Sequence, residues 1–269
     1  MKRETLKILI NPYNMKSLEL STKDGSEFLT DRSENEIPIE NGVPNFLVFE
    51  KTEGLNEKYR EFYNKIYNYY DIADFFGNIV LKLLHIINKN IPENAELFED
   101  EDIEVKEGYK VLETSIGTGR NMKYLPEKAF YYGLDISKGM LMKCRKNMTR
   151  WKREIELFQG NAEFLPFKEE TFDSVFHVGG INFFNDRKRA IEEMIRVAKP
   201  GAKIAIADEM EKTIVKQYEK MPIAKKYYNL SKIDKSRLVA PVDLVPVDMK
   251  DIKVKEILKR FYILTLRKP

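Results

Sequence analysis

The residues with the clearest chemical potential lie at a turn between a short apolar run and a helix. Tyr109–Leu112 is largely apolar, and short runs of this kind that end at a glycine turn are typical of buried parallel strands. Ser115, Gly117 and Gly119 follow at alternate positions. Glycine accepts a positive φ and lets a ligand approach the backbone, and the helix that follows directs free N–H groups at that ligand. The turn predicts a binding site, with a plain structural turn as the alternative.

A carboxylate follows at a distance that supports the binding site. The apolar run Phe130–Leu134 ends in Asp135, about 20 residues beyond the glycine turn, where nucleotide-binding α/β folds place an acid for ribose hydroxyls. The alternative role for Asp135 is a helix cap, because Ser137 follows it closely. Three further segments continue the pattern: Gly160–Phe167, Thr171–Phe176 and Arg196–Ala207.

In this order, the segments resemble the class I S-adenosylmethionine (SAM)-dependent methyltransferases. Within that family they look most like the branch of the quinone-biosynthesis C-methyltransferases, and the resemblance covers about residues 55–269. Three positions depart from the family. Thr114 stands for a small apolar residue, Ser115 for the first glycine and Asn161 for an aspartate.

Alternating strands and helices from residue 109 onward predict an α/β fold with a mostly parallel sheet, covered by helices on both faces. The resemblance implies a doubly wound, Rossmann-like sheet of seven strands whose last two pair as an antiparallel hairpin. Strands are expected near 110–114, 130–135, 155–158, 173–178, 203–208, 252–258 and 261–267.

The same resemblance implies SAM as the cofactor and assigns residues to each of its parts. Glu113, Ser115, Gly117 and Gly119 would surround the methionine part, Asp135 would bind the ribose hydroxyls, and Ile136, Asn161 and Ala162 would meet the adenine.

Aromatic residues recur at helical spacing between residues 59 and 70, a pattern that by itself indicates packing on the core. The family resemblance implies a second role, a lid over cofactor and acceptor. Tyr63 is then expected at the cofactor. An acceptor pocket is expected between helix 59–76, loop 177–184 and excursion 210–248, with Tyr67, Tyr70, Phe183 and Phe184 as its lining.

His177 is the candidate catalytic residue, because it follows the run Phe172–Phe176 at a strand end where the family places its acceptor side. A histidine there could act as a general base. It could also be a shape residue or a donor to the SAM carboxylate.

The first fifty residues lie outside the resemblance to the methyltransferase core. Ile37–Pro44 resembles the end of a small zinc ribbon, which places Asn11–Asn14 and Thr30–Ser33 where two Cys-x-x-Cys knuckles would be. Structural zinc sites of this kind need thiolate or imidazole ligands, so we expect a metal-free segment held by its own small core. Strands at Leu6–Ile10 and Phe46–Phe49 and a hairpin turn at 23–26 are predicted. The alternative is an ordinary β-hairpin extension. The expected domains are therefore residues 1–50 and 51–269.

Composition bounds the location and the partners. With 43% hydrophobic and 33% charged residues, the chain suits a folded protein, and no apolar stretch approaches the roughly 20 residues of a membrane span. No signal peptide is expected. No intrachain disulfide is expected either, because Cys144 is the only cysteine, and a cytoplasmic location is therefore expected. The net charge of +3 is too small to favour nucleic acid.

The sequence thus predicts an enzyme that methylates a small, partly hydrophobic or aromatic molecule. Two alternatives stay open. One is an RNA methyltransferase, because a related family also carries an N-terminal zinc module. The other is a SAM-binding partner protein without catalysis. The acceptor atom and the oligomeric state are left open.

Overall fold

The computed structural model of the chain describes residues 1–33, 36–49, 53–68, 100–210, 237–257 and 259–269. Its N-terminal part contains helix α1 (Arg3–Ile8) and strands β1 (Glu19–Lys23), β2 (Ser26–Thr30), β3 (Glu36–Glu40) and β4 (Val43–Pro44), which form an antiparallel sheet in chain order. The predicted hairpin turn is confirmed, because Lys23 pairs with Ser26 across a two-residue loop whose Asp24 and Gly25 both have positive φ.

Two strands predicted in this part are wrong. Residues Leu6–Ile10 are mostly in α1, and only Leu9 and Ile10 are extended, in single bridges to Phe167 and Ser17. Phe46–Phe49 is a 3-10 helix rather than a strand. The Asn45 side chain accepts a 3.0 Å hydrogen bond from the Leu47 N–H, so the chain turns where an extended run was expected.

The sequence predicted that the N-terminal segment has a small core of its own, and this prediction is wrong. Leu29, Ile37 and Phe46 are almost fully buried and belong to the same hydrophobic cluster as Leu112 and Phe158 of the large sheet. The division of the chain at residue 50 stays a prediction, but packing joins the two parts into one hydrophobic interior.

A seven-stranded sheet organises the rest of the described chain. After helices α2 (residues 54–68) and α3 (Asp100–Ile103), its strands are β5 (Lys110–Thr114), β6 (Phe130–Asp135), β7 (Glu156–Gln159), β8 (Phe172–Val178), β9 (Ala198–Glu209), β10 (Lys250–Ile257) and β11 (Phe261–Arg267). Their order is β10-β11-β9-β8-β5-β6-β7. The neighbours from β7 to β9 pair in parallel, while β11 is antiparallel to β9 and β10 to β11. The predicted sheet and its antiparallel end are confirmed.

Helices cover both faces of this sheet. Side chains alternate along a strand, so Val111 joins one hydrophobic cluster and its neighbour Leu112 joins the other. Helix α4 (Lys138–Trp151) packs on the Val111 side through Leu141, Cys144 and Met148. Helix α5 (Arg187–Val197) and the N-terminal sheet pack on the Leu112 side.

Some predicted features lie outside the described residues, namely Tyr70 and the greater part of the 210–248 excursion. Of the helices within the described ranges, none is both long enough and apolar enough to cross a bilayer.

Candidate active site

The strand order places a crevice at the carboxyl ends of β5 and β8. From β5 the strands follow one another towards one edge of the sheet as far as β7, and from β8 they follow one another towards the other edge. The order therefore reverses between β5 and β8. Open α/β sheets bind their ligands outside the strand ends at this point. The turn after β5 and the loop after β8 therefore face one another across the crevice.

A cavity lies at this point, with about 780 Å³ of empty space when its open mouth is included. Its lining comes from α2, the turn after β5, the end of β6, the start of α4 and the loops after β7 and β8. The residues are Asn56, Tyr59, Tyr63, Ser115, Gly117, Leu134, Asp135, Ile136, Met140, Gly160, Asn161, Ala162, Val178, Gly179, Gly180, Phe183 and Phe184.

The glycine turn after β5 has the backbone that its sequence predicts. Ser115, Gly117 and Gly119 have φ values of 82°, 55° and 75°. Ser115 thus keeps the left-handed turn of the glycine it replaces, at a cost of about 1–3 kcal/mol in backbone strain. A Cβ on Gly117 would meet no atom within 4 Å, whereas one on Gly119 would lie 2.6 Å from the Cys144 sulfur. Gly117 leaves ligand space and Gly119 permits helix packing.

Asp135 ends β6 with both carboxylate oxygens held by the backbone. Its Oδ2 accepts from the Gly117 N–H and its Oδ1 from the Ser137 N–H, each at 2.8 Å. Burial raises the pKa of this carboxyl to about 6, although the N–H groups of Ser137, Gly117 and Ile136 oppose the shift. Each oxygen keeps a lone pair, so Asp135 can still accept hydrogen bonds from a ligand.

Glu113 lies behind the turn as a second buried carboxylate. Its Oε1 accepts a 2.6 Å hydrogen bond from the Asn121 amide, while Oε2 is buried and has no hydrogen-bond partner among the described residues. Burial raises its pKa to about 8, the Asn121 amide lowers it, and the nearby Asp135 raises it. An unpaired buried carboxylate oxygen is costly unless a cationic or donor group is supplied.

The loop after β7 brings Asn161 and Ala162 to the same cavity. Both are buried, with exposed fractions of 4% and 5%. The Asn161 side-chain oxygen accepts a 3.0 Å hydrogen bond from the Glu163 N–H, which fixes the loop, and the Asn161 side chain brings no charge to the cavity.

Aromatic side chains form the other side of the cavity. The rings of Tyr59 in α2 and Phe183 in the loop after β8 lie 4.7 Å apart, and Tyr63 and Phe184 complete this side. Helix α2 therefore lies over the strand ends, as the lid prediction requires, and Leu238 from the described end of the excursion packs on Tyr59 and Phe183.

Four of the predicted site residues that the structure describes do not line the cavity. One is Glu113, which lies behind the glycine turn. Gly119 packs against α4, and the Tyr67 ring lies against Gly139. His177 is fully buried, with Nδ1 3.1 Å from the Thr114 hydroxyl oxygen and its ring edge-on to Phe184. Burial lowers the pKa of His177 to about 4, although the Thr114 and Gly179 carbonyls oppose the shift. Its Nε2 makes no hydrogen bond to any described residue.

The sequence reasoning missed several lining residues. Tyr59 was one of the aromatic residues at helical spacing between residues 59 and 70. Its position in the first turns of α2 could have identified it as a lining residue. Met140 and Val178 adjoin predicted site residues. Asn56 carried no sequence signal, because its place in the cavity depends on contacts with the distant Glu163 and Asn185.

The residues present fit the cofactor that the sequence implies. Asp135 is the one charged side chain among the described lining residues, with the unpaired Glu113 oxygen behind the turn. A ligand with positive charges would favour the ionised forms of both acidic groups, and SAM carries a sulfonium and an ammonium group. Space at Gly117 admits the ligand to the backbone.

Comparisons with known proteins identify the family of the chain. A family model described as a methyltransferase domain matches residues 112–206, from β5 to β9. A ubiquinone/menaquinone biosynthesis C-methyltransferase of Wigglesworthia glossinidia brevipalpis is 37% identical over 105 residues, which are 37% of this chain and 42% of the relative. A demethylmenaquinone methyltransferase of Shouchella clausii is 34% identical over 177 residues, covering 57% of this chain and 75% of the relative.

A solved structure agrees in fold. A SAM-dependent methyltransferase of Thermotoga maritima matches with a TM-score of 0.53 and 18% identity, over 80% of this chain and all of the other.

The fold and the cavity define a Rossmann-like methyltransferase. The chain belongs to the SAM-dependent methyltransferases, a family whose cofactor is SAM. It spans 42% of the Wigglesworthia relative and three quarters of the Shouchella relative.

Proposed function

We propose that this protein transfers a methyl group from SAM to a small, partly hydrophobic or aromatic acceptor. One observation carries the proposal: a single cavity has Ser115, Gly117 and Asp135 at one side and the aromatic rings of Tyr59 and Phe183 at the other. Methyl transfer needs the acceptor lined up behind the methyl carbon in a space without water, so donor and acceptor must share one cavity.

The proposed roles of the chain are mainly binding and orientation. SAM supplies the methyl group on a positively charged sulfur and leaves as S-adenosylhomocysteine. Asp135 would accept hydrogen bonds from the ribose hydroxyls, and the free Glu113 oxygen would face the ammonium group. Asn161 and Ala162 would meet the adenine, beside Ile136. Helix α2 would keep water out of the space between donor and acceptor.

We assign no general base to His177. A pKa of about 4 leaves its imidazole neutral near pH 7, but its full burial and its place outside the cavity lining keep it from the acceptor. We propose instead that His177 is a shape residue beneath Phe184, one of the roles that the sequence allowed. The acceptor would then bring its own nucleophilic atom, with no proton removed by His177.

A quinone-like acceptor fits the aromatic lining of the cavity and the names of the relatives. One relative is a demethylmenaquinone methyltransferase, and aromatic lining suits a ring of that kind. Among the lining residues that are described, there is neither Lys nor Arg, so this side of the cavity offers no cation to the phosphates of RNA. We place the reaction in the cytoplasm, which the single cysteine favours.

Two measurements test the proposal. Calorimetry should find SAM binding that Asp135→Ala weakens by about one to two decades, because a hydrogen bond to a charged group contributes about 1.5–3 kcal/mol. Radiolabelled SAM with demethylmenaquinone should give labelled product and S-adenosylhomocysteine. Unchanged affinity in Asp135→Ala would remove that residue from the site. Binding without turnover on a panel of small aromatic acceptors would favour the non-catalytic alternative.

A further inference from the structure

Helix α2 is attached over the cavity at two points of its described length, each through an asparagine side chain. Near its start, the Asn56 amide donates a 2.8 Å hydrogen bond to Glu163 in the loop after β7. In the third turn of this helix, Asn64 Oδ1 accepts hydrogen bonds from the Ser137 hydroxyl at 2.8 Å and from the Gly139 N–H at 2.9 Å. The second attachment reaches the loop that joins β6 to α4.

That loop also holds the ribose carboxylate. The Ser137 N–H donates to Asp135 Oδ1, and the Gly117 N–H donates to Asp135 Oδ2. A continuous line of hydrogen bonds therefore runs from the glycine turn through Asp135 and Ser137 to Asn64. A ligand that fixes Asp135 also fixes the hydroxyl that Asn64 accepts from.

The contact has the geometry of a helix cap shared by two helices. Ser137 is the N-cap of α4 and its hydroxyl oxygen accepts from the Met140 N–H. The Gly139 N–H is another first-turn donor without an intrahelical partner, and Asn64 supplies its acceptor from α2. A side chain at position 139 is excluded, because its Cβ would lie 2.7 Å from the Tyr67 ring. Docking of α2 thus uses a donor and a glycine at the start of α4.

We propose that Asn64 is a positioning residue that couples cofactor binding at Asp135 to the docking of α2 over the cavity. The inference rests on the proposed function. If cofactor binding fixes the loop 135–139, it strengthens the cap and holds α2 down, and a docked α2 retains the cofactor by the same factor. The acceptor then meets a formed pocket only after the cofactor is bound.

The experiment is hydrogen exchange of residues 54–68 in the full chain, with and without S-adenosylhomocysteine. In the unchanged protein the ligand should raise protection of this helix about tenfold, the effect of about one hydrogen bond to a fixed partner. Asn64→Ala should abolish that increment. Asn64→Asp should keep it, because a carboxylate oxygen accepts from the same hydroxyl and N–H. Glu61→Ala, on an exposed position of the same helix, is the matched control.

The increase in protection caused by the ligand distinguishes coupling from a static contact between Asn64 and the start of α4. If Asn64 only packs α2 in place, Asn64→Ala lowers protection equally with and without ligand, and the increment survives, which overturns the proposal. Gly139→Ala attacks the same contact from α4 and should also lose the increment. Because Asn64 is exposed, its replacement leaves the core intact.

Failure of the proposed function would look different. If calorimetry finds no S-adenosylhomocysteine binding to the unchanged protein, the proposed function fails and the coupling with it. If the ligand binds but the exchange of residues 54–68 is the same with and without it, the function stands and the coupling is overturned.

Discussion

Asp208, at the end of β9, accepts a 2.9 Å hydrogen bond from the backbone N–H of Asn182 in the loop after β8. The same oxygen accepts from the Gly180 N–H at 3.1 Å. The Asn182 side chain is fixed as well, since its amide donates to the Glu209 carbonyl and its oxygen accepts from the Tyr262 hydroxyl. This buried network ties the loop that carries Phe183 and Phe184 to β9 and β11.

The first prediction concerns Asp208→Asn. The carboxylate accepts three backbone N–H groups, from Gly180, Asn182 and Glu209, and an amide would turn its NH₂ towards at least one of them. We expect a stability loss of about 1–3 kcal/mol and an acceptor KM that rises more than the dissociation constant of SAM. Thermal melting, acceptor titration and calorimetry measure these quantities.

Asp243→Asn, an exposed position, is the matched control and should leave all three quantities unchanged. Equal weakening of cofactor and acceptor binding in Asp208→Asn would show that the network supports the whole crevice rather than the acceptor side.

The second prediction is a dependence on pH. Burial raises the pKa of Asp135 to about 6 and that of Glu113 to about 8, above the ordinary values of 3.8 and 4.5. Between about pH 4 and 8 these two groups therefore hold more protons in the folded, ligand-free chain than in the unfolded chain. Their contribution to stability is fully present at low pH and is lost as the pH rises through these values.

A cationic ligand reverses this trend, because it favours the ionised carboxylates. From pH 5 to 7, where the ligand's own amino group stays protonated, SAM should bind more tightly as the pH rises and should release protons. Melting curves with and without SAM at several pH values check this. In Asp135→Asn the increase in SAM affinity between pH 5 and 7 should be smaller than in the unchanged protein. A SAM affinity that is constant over this range would contradict the assigned carboxylates.

Much of the fold was predictable because it depends on local patterns. Strands β5, β6 and β8 are short apolar runs between turn residues, and the glycine turn requires positive φ that the sequence signals directly. The cofactor side of the cavity was predicted from these same segments: spacing indicated the glycine turn and Asp135, and the family resemblance implied the roles of Ser115 and Asn161.

The errors arise where a single side-chain contact, the direction of a side chain or a distant partner determines the structure. The apolar run at residues 46–49 matches a strand, but the Asn45 side chain turns it into a 3-10 helix. His177 lies in β8, near the strand end that faces the site, yet the alternation of side chains buries its ring beside Thr114. Asn56 enters the cavity through partners over 100 positions away, which no local pattern can reveal.

The third prediction concerns the N-terminal sheet. The residues at the two predicted knuckle positions meet: Asp31 Oδ2 accepts from the amides of Asn11 and Asn14 at 2.8 and 2.6 Å, and Oδ1 accepts from the Ser33 N–H at 2.8 Å. Burial acts to raise the pKa of Asp31, but the hydrogen bonds of Ser33, Asn14 and Asn11 outweigh it and hold the pKa below its usual range. The carboxylate joins the two loops directly through these hydrogen bonds.

Asp31→Ala should lower stability by about 1–3 kcal/mol, because it leaves the buried Asn11 amide unpaired. Glu27→Ala, exposed on β2, should have no effect. A zinc chelator should not shift the melting temperature of the unchanged protein, and elemental analysis should find no zinc. Zinc in a one-to-one ratio would overturn the metal-free prediction and with it this role of Asp31.

The last prediction tests the acceptor side through Phe183, whose ring is buried against Tyr59 and lines the cavity away from Asp135. Phe183→Leu keeps an apolar side chain but removes the flat face against which an aromatic acceptor would lie. We expect an acceptor KM about tenfold higher, the effect of about 1.4 kcal/mol of lost contact, and a SAM affinity within about threefold of the original.

Tyr124→Ala is the control for aromatic replacement, because Tyr124 is 49% exposed and does not line the cavity. It should change neither constant. The effect of Phe183→Leu also tests the chemistry of the acceptor, in addition to the position of its binding site. If an aliphatic acceptor of equal size loses no affinity in Phe183→Leu while a quinone-like one does, ring stacking selects the substrate. If both are bound as before, the acceptor lies elsewhere and the aromatic side of the cavity serves only to hold α2.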